Sequence, residues 1–355
     1  PVRDGVPAAI RCMAQAGGKT VIVTGDHKGT AEAVARELGM VDGRSAVLTG
    51  EDLRLLRREE WQSRAAEVSV YARVTPEQKV EIVKLYQERG EVVAMTGDGV
   101  NDAPALERAD IGVALGSGTE VAKSAADLIL LDDSFETIVA AIEEGRKVLD
   151  NIRKVIVYLL SDSLDELLLI GGALATGLAL PLSALQILFV NFFSDSFPAV
   201  ALAFEEGIDG LGSRPRKLDR NLFDRTVRFL IIAIGFSTSA FLFLLYYLLL
   251  KWGFAPELVR TFIFASFSTY TLFLSFSVRS LERSIFTYNP FSNHYLILGV
   301  AVGLLLTAGA IYMPMLQRVF NTTSLPAVWL LGVLGIGLIN VLAVEFGKWF
   351  SSRYT

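Results

Sequence analysis

Two kinds of apolar patterning divide the chain. Up to about residue 150, short apolar runs alternate with segments of helical periodicity. "TVIVTGD" is followed by "KGTAEAVARELG", "VYARV" by "PEQKVEIVKLYQE", "EVVAMTGD" by "DAPALERA" and "IGVAL" by "EVAKSAAD", and "LILLDD" closes the series. Buried strands alternating with amphipathic helices predict a parallel sheet wrapped by helices. Ligands of such sheets bind beyond the carboxyl ends of the strands. The two turns that follow strands with "TGD", Thr24-Gly25-Asp26 and Thr96-Gly97-Asp98, are therefore expected at that edge.

From Ser134 a helical pattern, "SFETIVAAIEEGRKVLDNIRKVIVYLL", runs without proline into a region where uncharged stretches dominate. Six stretches are close to the ~20 residues a bilayer demands: 155–176, 183–204, 229–250, 261–278, 295–317 and 324–344. The expected organisation is a sheet domain over 1–133, a stalk helix over 134–154 and a six-helix transmembrane domain over 155–355. If residues 1–150 are cytoplasmic, the inner loops and tail carry Arg214, Arg216, Lys217, Arg220, Arg225, Arg228, Arg279, Arg283, Lys348 and Arg353. The outer loops hold only Lys251, Arg260 and Arg318, an asymmetry that fits the positive-inside rule.

Composition agrees: 52% of the 355 residues are apolar, high for a purely soluble protein. The net charge of −5 comes without a basic stripe, which argues against nucleic-acid binding. The lone Cys12 excludes an internal disulfide framework. His27 and His294 lack partner ligands in sequence. The chain opens at Pro1 without a signal peptide, which reads as a cut or a split gene.

The chemistry concentrates in "MTGDGVNDAPAL". A glycine turn lets backbone N–H groups approach an anion, and a following helix start adds positive dipole, so phosphate is the natural guest. Asp98 and Asp102, with Asn101 beside them, are hard oxygen groups suited to Mg²⁺ or to orienting a water. Lys79, in the helix after "TPEQ", can offer a cation to a phosphoryl oxygen. Together they describe phosphoryl transfer.

"MTGDGVNDAPAL" resembles the hinge signature of P-type cation-transporting ATPases. "VIVTGDHKGTAEAVARELG", "YARVTPEQKVEIV" and "IGVALGSGTEVAKSAADLILLDDSFETIVAAIEEGRKVLDNIRK" are similar to that family's phosphorylation domain, most closely in the calcium-pump-like branch. The resemblance implies an α/β haloacid-dehalogenase-like domain, here partial, followed by an all-α six-helix transmembrane domain. It also implies ATP as substrate and Mg²⁺ as cofactor, with an aspartate phosphorylated and then hydrolysed as cations cross the bilayer. By matching motif, Thr24 and Gly25 would contact the phosphoryl group, with Asp26 completing that turn. Lys79 would neutralise the group, Asp98 would bind Mg²⁺, and Asn101 and Asp102 would support the site. The sequence contains no "DKTGT", the run that carries the family's phosphorylated aspartate. The "LTGEDL" at 48–53 falls where the family has a structural stretch rather than its dephosphorylation loop. The nucleotide-binding domain that would hold ATP is also missing, so these residues alone are expected not to hydrolyse it. A catalytically silent half-pump or membrane scaffold needing a partner chain stays open as the alternative.

Inside the first two spans lie "SDSLDE" at 161–166 and "NFFSDSFP" at 191–198. An acid at mid-bilayer costs roughly 2.5–3.5 kcal/mol on insertion scales, so such residues need a cavity or an ion. Asp162 and Glu166 share a helix face, and Asn191, Ser194, Asp195 and Pro198 recur at helical spacing. Two facing oxygen-rich stripes make a cation site. The resemblance carries ion coordination onto Ser163, Glu166, Asn191, Ser194 and Asp195. An asparagine usually stands in calcium pumps where Ser163 is, and a small residue where Asp165 is. The expected cargo is Ca²⁺ or a similar divalent cation. The expected location is a bacterial plasma membrane, since the loops are short and no organelle signal is present.

Overall fold

The computed structural model describes residues 2–3, 5–41, 46–206 and 222–354. They fall into two compact units, one ending at Glu144 and one beginning at Gly145.

The first unit is built on six short parallel strands: β1 (Ile22–Val23), β2 (Ala46–Thr49), β3 (Val68–Ala72), β4 (Ala94–Gly97), β5 (Ile111–Leu115) and β6 (Leu128–Leu130). They form two three-stranded sheets, ordered β1-β3-β2 and β4-β5-β6. The central strand of the first sheet, "VSVYA", is buried at every position but Ser69, and pairs Val70 with Ile22 on one side and Tyr71 with Leu48 on the other. In the second sheet Val113 faces Thr96 and Leu128. Strands covered on both faces lose the polar alternation of a half-exposed strand, which is why β3 reads as a continuous apolar run. Among the described residues β1 and β4 each pair along one edge only.

Helices α1 (Val6–Gln15), α2 (Lys28–Glu37), α3 (Gly50–Leu55), α4 (Arg58–Arg64), α5 (Pro76–Glu88), α6 (Ala103–Arg108) and α7 (Glu120–Ala125) separate the strands. Several start on side-chain caps that the sequence spells out. Thr75 and Gln78 cap α5 reciprocally, with Pro76 at its first position, where the missing N–H costs nothing. The letters "TGED" at 49–52 close another capping box: Thr49 N–H donates to Asp52 Oδ2 at 2.8 Å, and Asp52 N–H to Thr49 Oγ1 at 3.2 Å. That stretch is thus the start of α3.

Helix α8 (Phe135–Ala175) runs for 41 residues. The second span is helical from Ala184 to Ala203: α9 (Ala184–Phe189), a wider π-type turn over Val190–Asp195, and α10 (Ser196–Ala203). Then come α11 (Arg225–Lys251), α12 (Pro256–Val278), α13 (His294–Tyr312), α14 (Pro314–Phe320) and α15 (Ala327–Tyr354). Five helices among the described residues are long and apolar enough to cross a membrane. The sixth expected span, 155–176, lies on α8 but carries Asp162, Asp165 and Glu166, and those three carboxylates keep its composition from qualifying. The expected stretch 295–317 ends early: the helix stops at Tyr312, and Pro314, which has no N–H to continue it, starts α14.

Helix α12 is the hub of the second unit, almost wholly buried, whereas α15 is buried along a narrow stripe. Two expected loop or tail cations are buried as well. Arg279 donates from Nε and Nη2 to both carboxylate oxygens of Glu205, at 3.0 and 2.5 Å, and each side chain is 2% exposed. Lys348 pairs with Glu345 at 2.7 Å and donates to the Ser277 carbonyl. Arg214, Arg216, Lys217 and Arg220 lie outside the described residues.

Candidate functional site

The two "TGD" turns leave the carboxyl ends of β1 and β4. Thr24 accepts at its hydroxyl from Asp26 N–H (3.0 Å). Its carbonyl accepts from Val74 N–H at 3.2 Å, and the Asp26 carbonyl from Arg73 N–H at 3.0 Å. These bonds tie the first turn to the segment that leads into α5, with Gly25 and Asp26 exposed. One turn into α5 is Lys79, whose Nζ stands 2.5 Å from Asp102 Oδ1. The other oxygen of Asp102 accepts from the backbone N–H groups of Asp98 (3.3 Å) and Gly99 (3.2 Å). The Asp102 carboxylate therefore fixes both the lysine and the second turn. Asp98 and Asn101 are left exposed, while the Asp98 carbonyl accepts from Thr119 N–H at 2.8 Å.

Glycine is required where the turn closes. A Cβ at Gly97 would lie 2.5 Å from the Asp102 Cβ, inside the contact limit. The result is a rim with Lys79 as its cation, the exposed Gly25 at the first turn and an unencumbered carboxylate at Asp98. Among the described residues no three acidic, histidine or cysteine side chains gather into a metal cage. Mg²⁺ is usually held by one or two carboxylates, with phosphate oxygens and waters completing its shell. Asp98 suits that use, since Asp102 spends its oxygens on Lys79 and the two amides.

In the second unit, α8 buries a stripe of Tyr158, Asp162, Asp165 and Leu169 at helical spacing. Ser163 falls on the opposite face, exposed, with its hydroxyl donating to Leu159 O at 2.9 Å. The structure does not bring it to the other expected ligands. It does join Glu166 to the second span: Asn191 Nδ2 donates to Glu166 Oε1 (3.0 Å) and Oε2 (3.3 Å). Asn191, Ser194 and Asp195 all lie in the π-type turn, a distortion often found at functional sites.

Ser194 heads a chain of hydroxyls. Its Oγ is 2.7 Å from Ser268 Oγ, which is 2.7 Å from Thr307 Oγ1, which donates to Gly303 O at 2.8 Å. Each hydroxyl has one proton. Because Thr307 spends its own on the carbonyl, Ser268 must donate to Thr307 and Ser194 to Ser268. Ser194 is left presenting only lone pairs, the form in which a hydroxyl serves a cation.

Asp162 and Asp165, which the resemblance does not assign, are the most deeply buried acids here, each 0% exposed. Thr271 Oγ1 donates to Asp162 Oδ1 at 2.7 Å, and the Tyr270 hydroxyl donates to Asp165 Oδ2. The sequence signal was the hydroxyl-rich "SFSTYT" at 266–271, which has no acid of its own.

Comparison with known proteins agrees with this architecture. Residues 179–350 match the family described as "Cation transporting ATPase, C-terminus". Residues 1–110 and 79–142 match haloacid dehalogenase-like hydrolases. A calcium-transporting ATPase of Bacillus subtilis is 42% identical over 346 residues, 96% of this chain and 38% of the relative. Calcium-transporting ATPase lmo0841 of Listeria monocytogenes is 38% identical over 360 residues, 100% of this chain and 40% of the relative. The probable cation-transporting ATPase F of Mycobacterium bovis is 41% identical over 346 residues, 93% of this chain and 37% of the relative. The chain thus spans about two-fifths of the length of these relatives. It is an integral membrane protein by its apolar helices and its relatives alike. The chain belongs to the P-type cation-transporting ATPases, in their calcium-pump-like branch, and carries the C-terminal portion of that architecture.

Proposed function

We propose that these residues supply the phosphate-handling rim and the cation path of a pump that uses ATP to move Ca²⁺, or a similar divalent cation, through an aspartyl-phosphate intermediate. The observation that carries this is the pairing of two separate oxygen-rich sites with the family's motifs: a phosphate-type rim around Lys79 and Asp98, and buried acids between α8, the second span and α12. The names of the relatives from Bacillus subtilis and Listeria monocytogenes support calcium as the cargo.

In this reading Thr24 with its hydroxyl and Gly25 with its N–H hold the phosphoryl oxygens, and Lys79 neutralises them. Asp102 keeps Lys79 and the Asp98 turn in register, Asp26 and Asn101 flank the phosphate, and Asp98 holds Mg²⁺. Bound there, Mg²⁺ supplies positive charge that offsets the phosphoryl oxygens. The aspartate that accepts the phosphoryl group and the domain that binds ATP come from sequence outside these residues, which alone do not turn over ATP. Glu166, Asn191, Ser194 and Asp195 coordinate the cargo, with Ser163 on the α8 face turned away from them. Residues 1–150 face the cytoplasm of a bacterial cell.

The test is uptake of radiolabelled Ca²⁺ into inverted membrane vesicles carrying the full natural pump. ATP-dependent uptake lost in Asp98→Ala and Asp195→Asn is the expected result. Uptake that persists in both variants would overturn the assignment of the two sites.

A further inference from the structure

Asp162 stands where the family resemblance assigns no ligand, yet no carboxylate among the described residues is more completely enclosed. It lies on α8 four residues before Glu166, so its side chain points into the same interior one turn away. Its Oδ1 has a donor, Thr271 Oγ1 at 2.7 Å. That hydroxyl is also 3.0 Å from Phe267 O, so its single proton is shared between two acceptors. The Oδ2 of Asp162 has no hydrogen-bond partner, and neither has Oδ1 of Asp195, which is 3% exposed. The two acids are brought to neighbouring places: Tyr158, one turn before Asp162 on α8, donates to the Ser194 carbonyl at 3.1 Å, and Thr271 and Ser268, three residues apart on α12, bond Asp162 and Ser194.

Buried carboxylate oxygens without donors are expensive, and two in neighbouring places repel unless one takes up a proton or a cation lies between them. The second independent feature is the set of neutral oxygens around the pair. Ser194 presents lone pairs through its hydroxyl chain, and the widened turn over Val190–Asp195 carries Asp195. Carboxylates and neutral oxygens are the ligands a hard divalent cation takes.

We infer that Asp162 and Asp195 together form a bidentate carboxylate clamp for a divalent cation, with Thr271 orienting Asp162, so that this pump binds its cargo through an α8 acid beyond those the family motif assigns. The inference rests on the proposed pump function and names a further ligand for that path. Asp165 is not part of the clamp; the Tyr270 hydroxyl donates to it, and it sits farther along α8.

The experiment is equilibrium binding of radiolabelled Ca²⁺ to the detergent-purified full natural pump without ATP, alongside thermal melting of each variant. Asp162→Asn keeps an acceptor for Thr271 and turns an amide N–H toward Asp195. A purely structural Asp162 would therefore tolerate it without loss of Ca²⁺ binding. The clamp predicts an affinity reduced at least tenfold with an unchanged or raised melting temperature, partial recovery in Asp162→Glu, and less than a twofold change in Asp165→Asn. Asp162→Asn binding Ca²⁺ within twofold of the wild type would overturn the clamp while leaving the pump reading intact. A wild type that melts cooperatively but binds neither Ca²⁺ nor Mn²⁺ would overturn the pump reading, and the clamp with it.

Discussion

Replacing Asp102 with alanine separates the residue that braces the second turn from Asp98, the exposed carboxylate to which we assign Mg²⁺. Lys79 and Asp102 are 14% and 11% exposed at their side chains, so their ion pair is largely shielded from solvent. Removing one partner of a buried pair typically costs about 3–5 kcal/mol, because the other charge is left uncompensated. The N–H groups of Asp98 and Gly99 lose their shared acceptor at the same time. At about 1.4 kcal/mol per tenfold, even the lower figure corresponds to roughly a hundredfold change in local opening. Hydrogen exchange followed by mass spectrometry on the full-length protein reads this directly. In Asp102→Ala, amides from Ala94 to Arg108 should exchange ~10²–10³-fold faster, with peptides from α11 to α15 unchanged. Asp98→Ala, whose carboxylate supports no bond in this turn, should leave exchange within about threefold. Equal loosening in both variants, or none in Asp102→Ala, would refute the division of labour.

Gly97→Ala should fail to assemble the same turn, since the added methyl collides with Asp102; its exchange pattern should match that of Asp102→Ala. In the hydroxyl chain, Thr307→Val removes the oxygen that receives the Ser268 proton and should weaken Ca²⁺ binding, whereas Thr307→Ser should restore it; equal affinity in both would sink the relay. Arg279→Met should lower thermal stability by about 3–5 kcal/mol, the cost of stranding a buried Glu205, and Glu205→Gln/Arg279→Met should recover part of it in a detergent melt. For Asp52, the hydrogen bonds from Thr49 hold its carboxyl below the usual range. Its stabilisation of α3 is thus complete above the unfolded value near 3.9 and is lost as pH falls through the lower folded value. Exchange at the start of α3 should be insensitive to Asp52→Asn below that window and faster in the variant above it.

Much of the fold was legible because the physics is local. Strands covered on both faces wrote themselves as apolar runs, and the helix after "TPEQ" starts where Thr75 and Pro76 cap it; β2 and the helix capped by Thr49 were not read. That the six strands divide into two three-stranded sheets was not legible, because strand order depends on pairing between distant segments. At the rim, sequence gathered Lys79, Asp98, Asn101 and Asp102. It could not tell that Asp102 turns inward to the lysine while Asp98 stays open, because that depends on which way a short turn closes.

In the helical unit the acids were visible as misfits, but their partners were not. Four-residue spacing placed Asp162 and Glu166 on one face without saying which stripe of α8 would be buried. The stripe through Tyr158, Asp162 and Asp165 turned inward and left Ser163 outside. Thr271 and Tyr270 had no acidic neighbour in sequence to mark them, and met theirs only when α12 packed at the centre. Arg279 and Lys348 looked like solvated inner-loop or tail charges. Each instead found a buried glutamate that sequence distance or helix phase had hidden.

The most direct measurement is formation of an acid-stable phosphoenzyme from labelled ATP by the full natural pump, titrated with Ca²⁺, Mn²⁺, Na⁺ and K⁺, in the wild type and in Asp195→Asn. The account predicts a phosphoenzyme that rises with Ca²⁺ or a similar divalent cation in the wild type and loses that response in the variant. Phosphoenzyme that forms equally without added cation, or a cation response unchanged in Asp195→Asn, would contradict it.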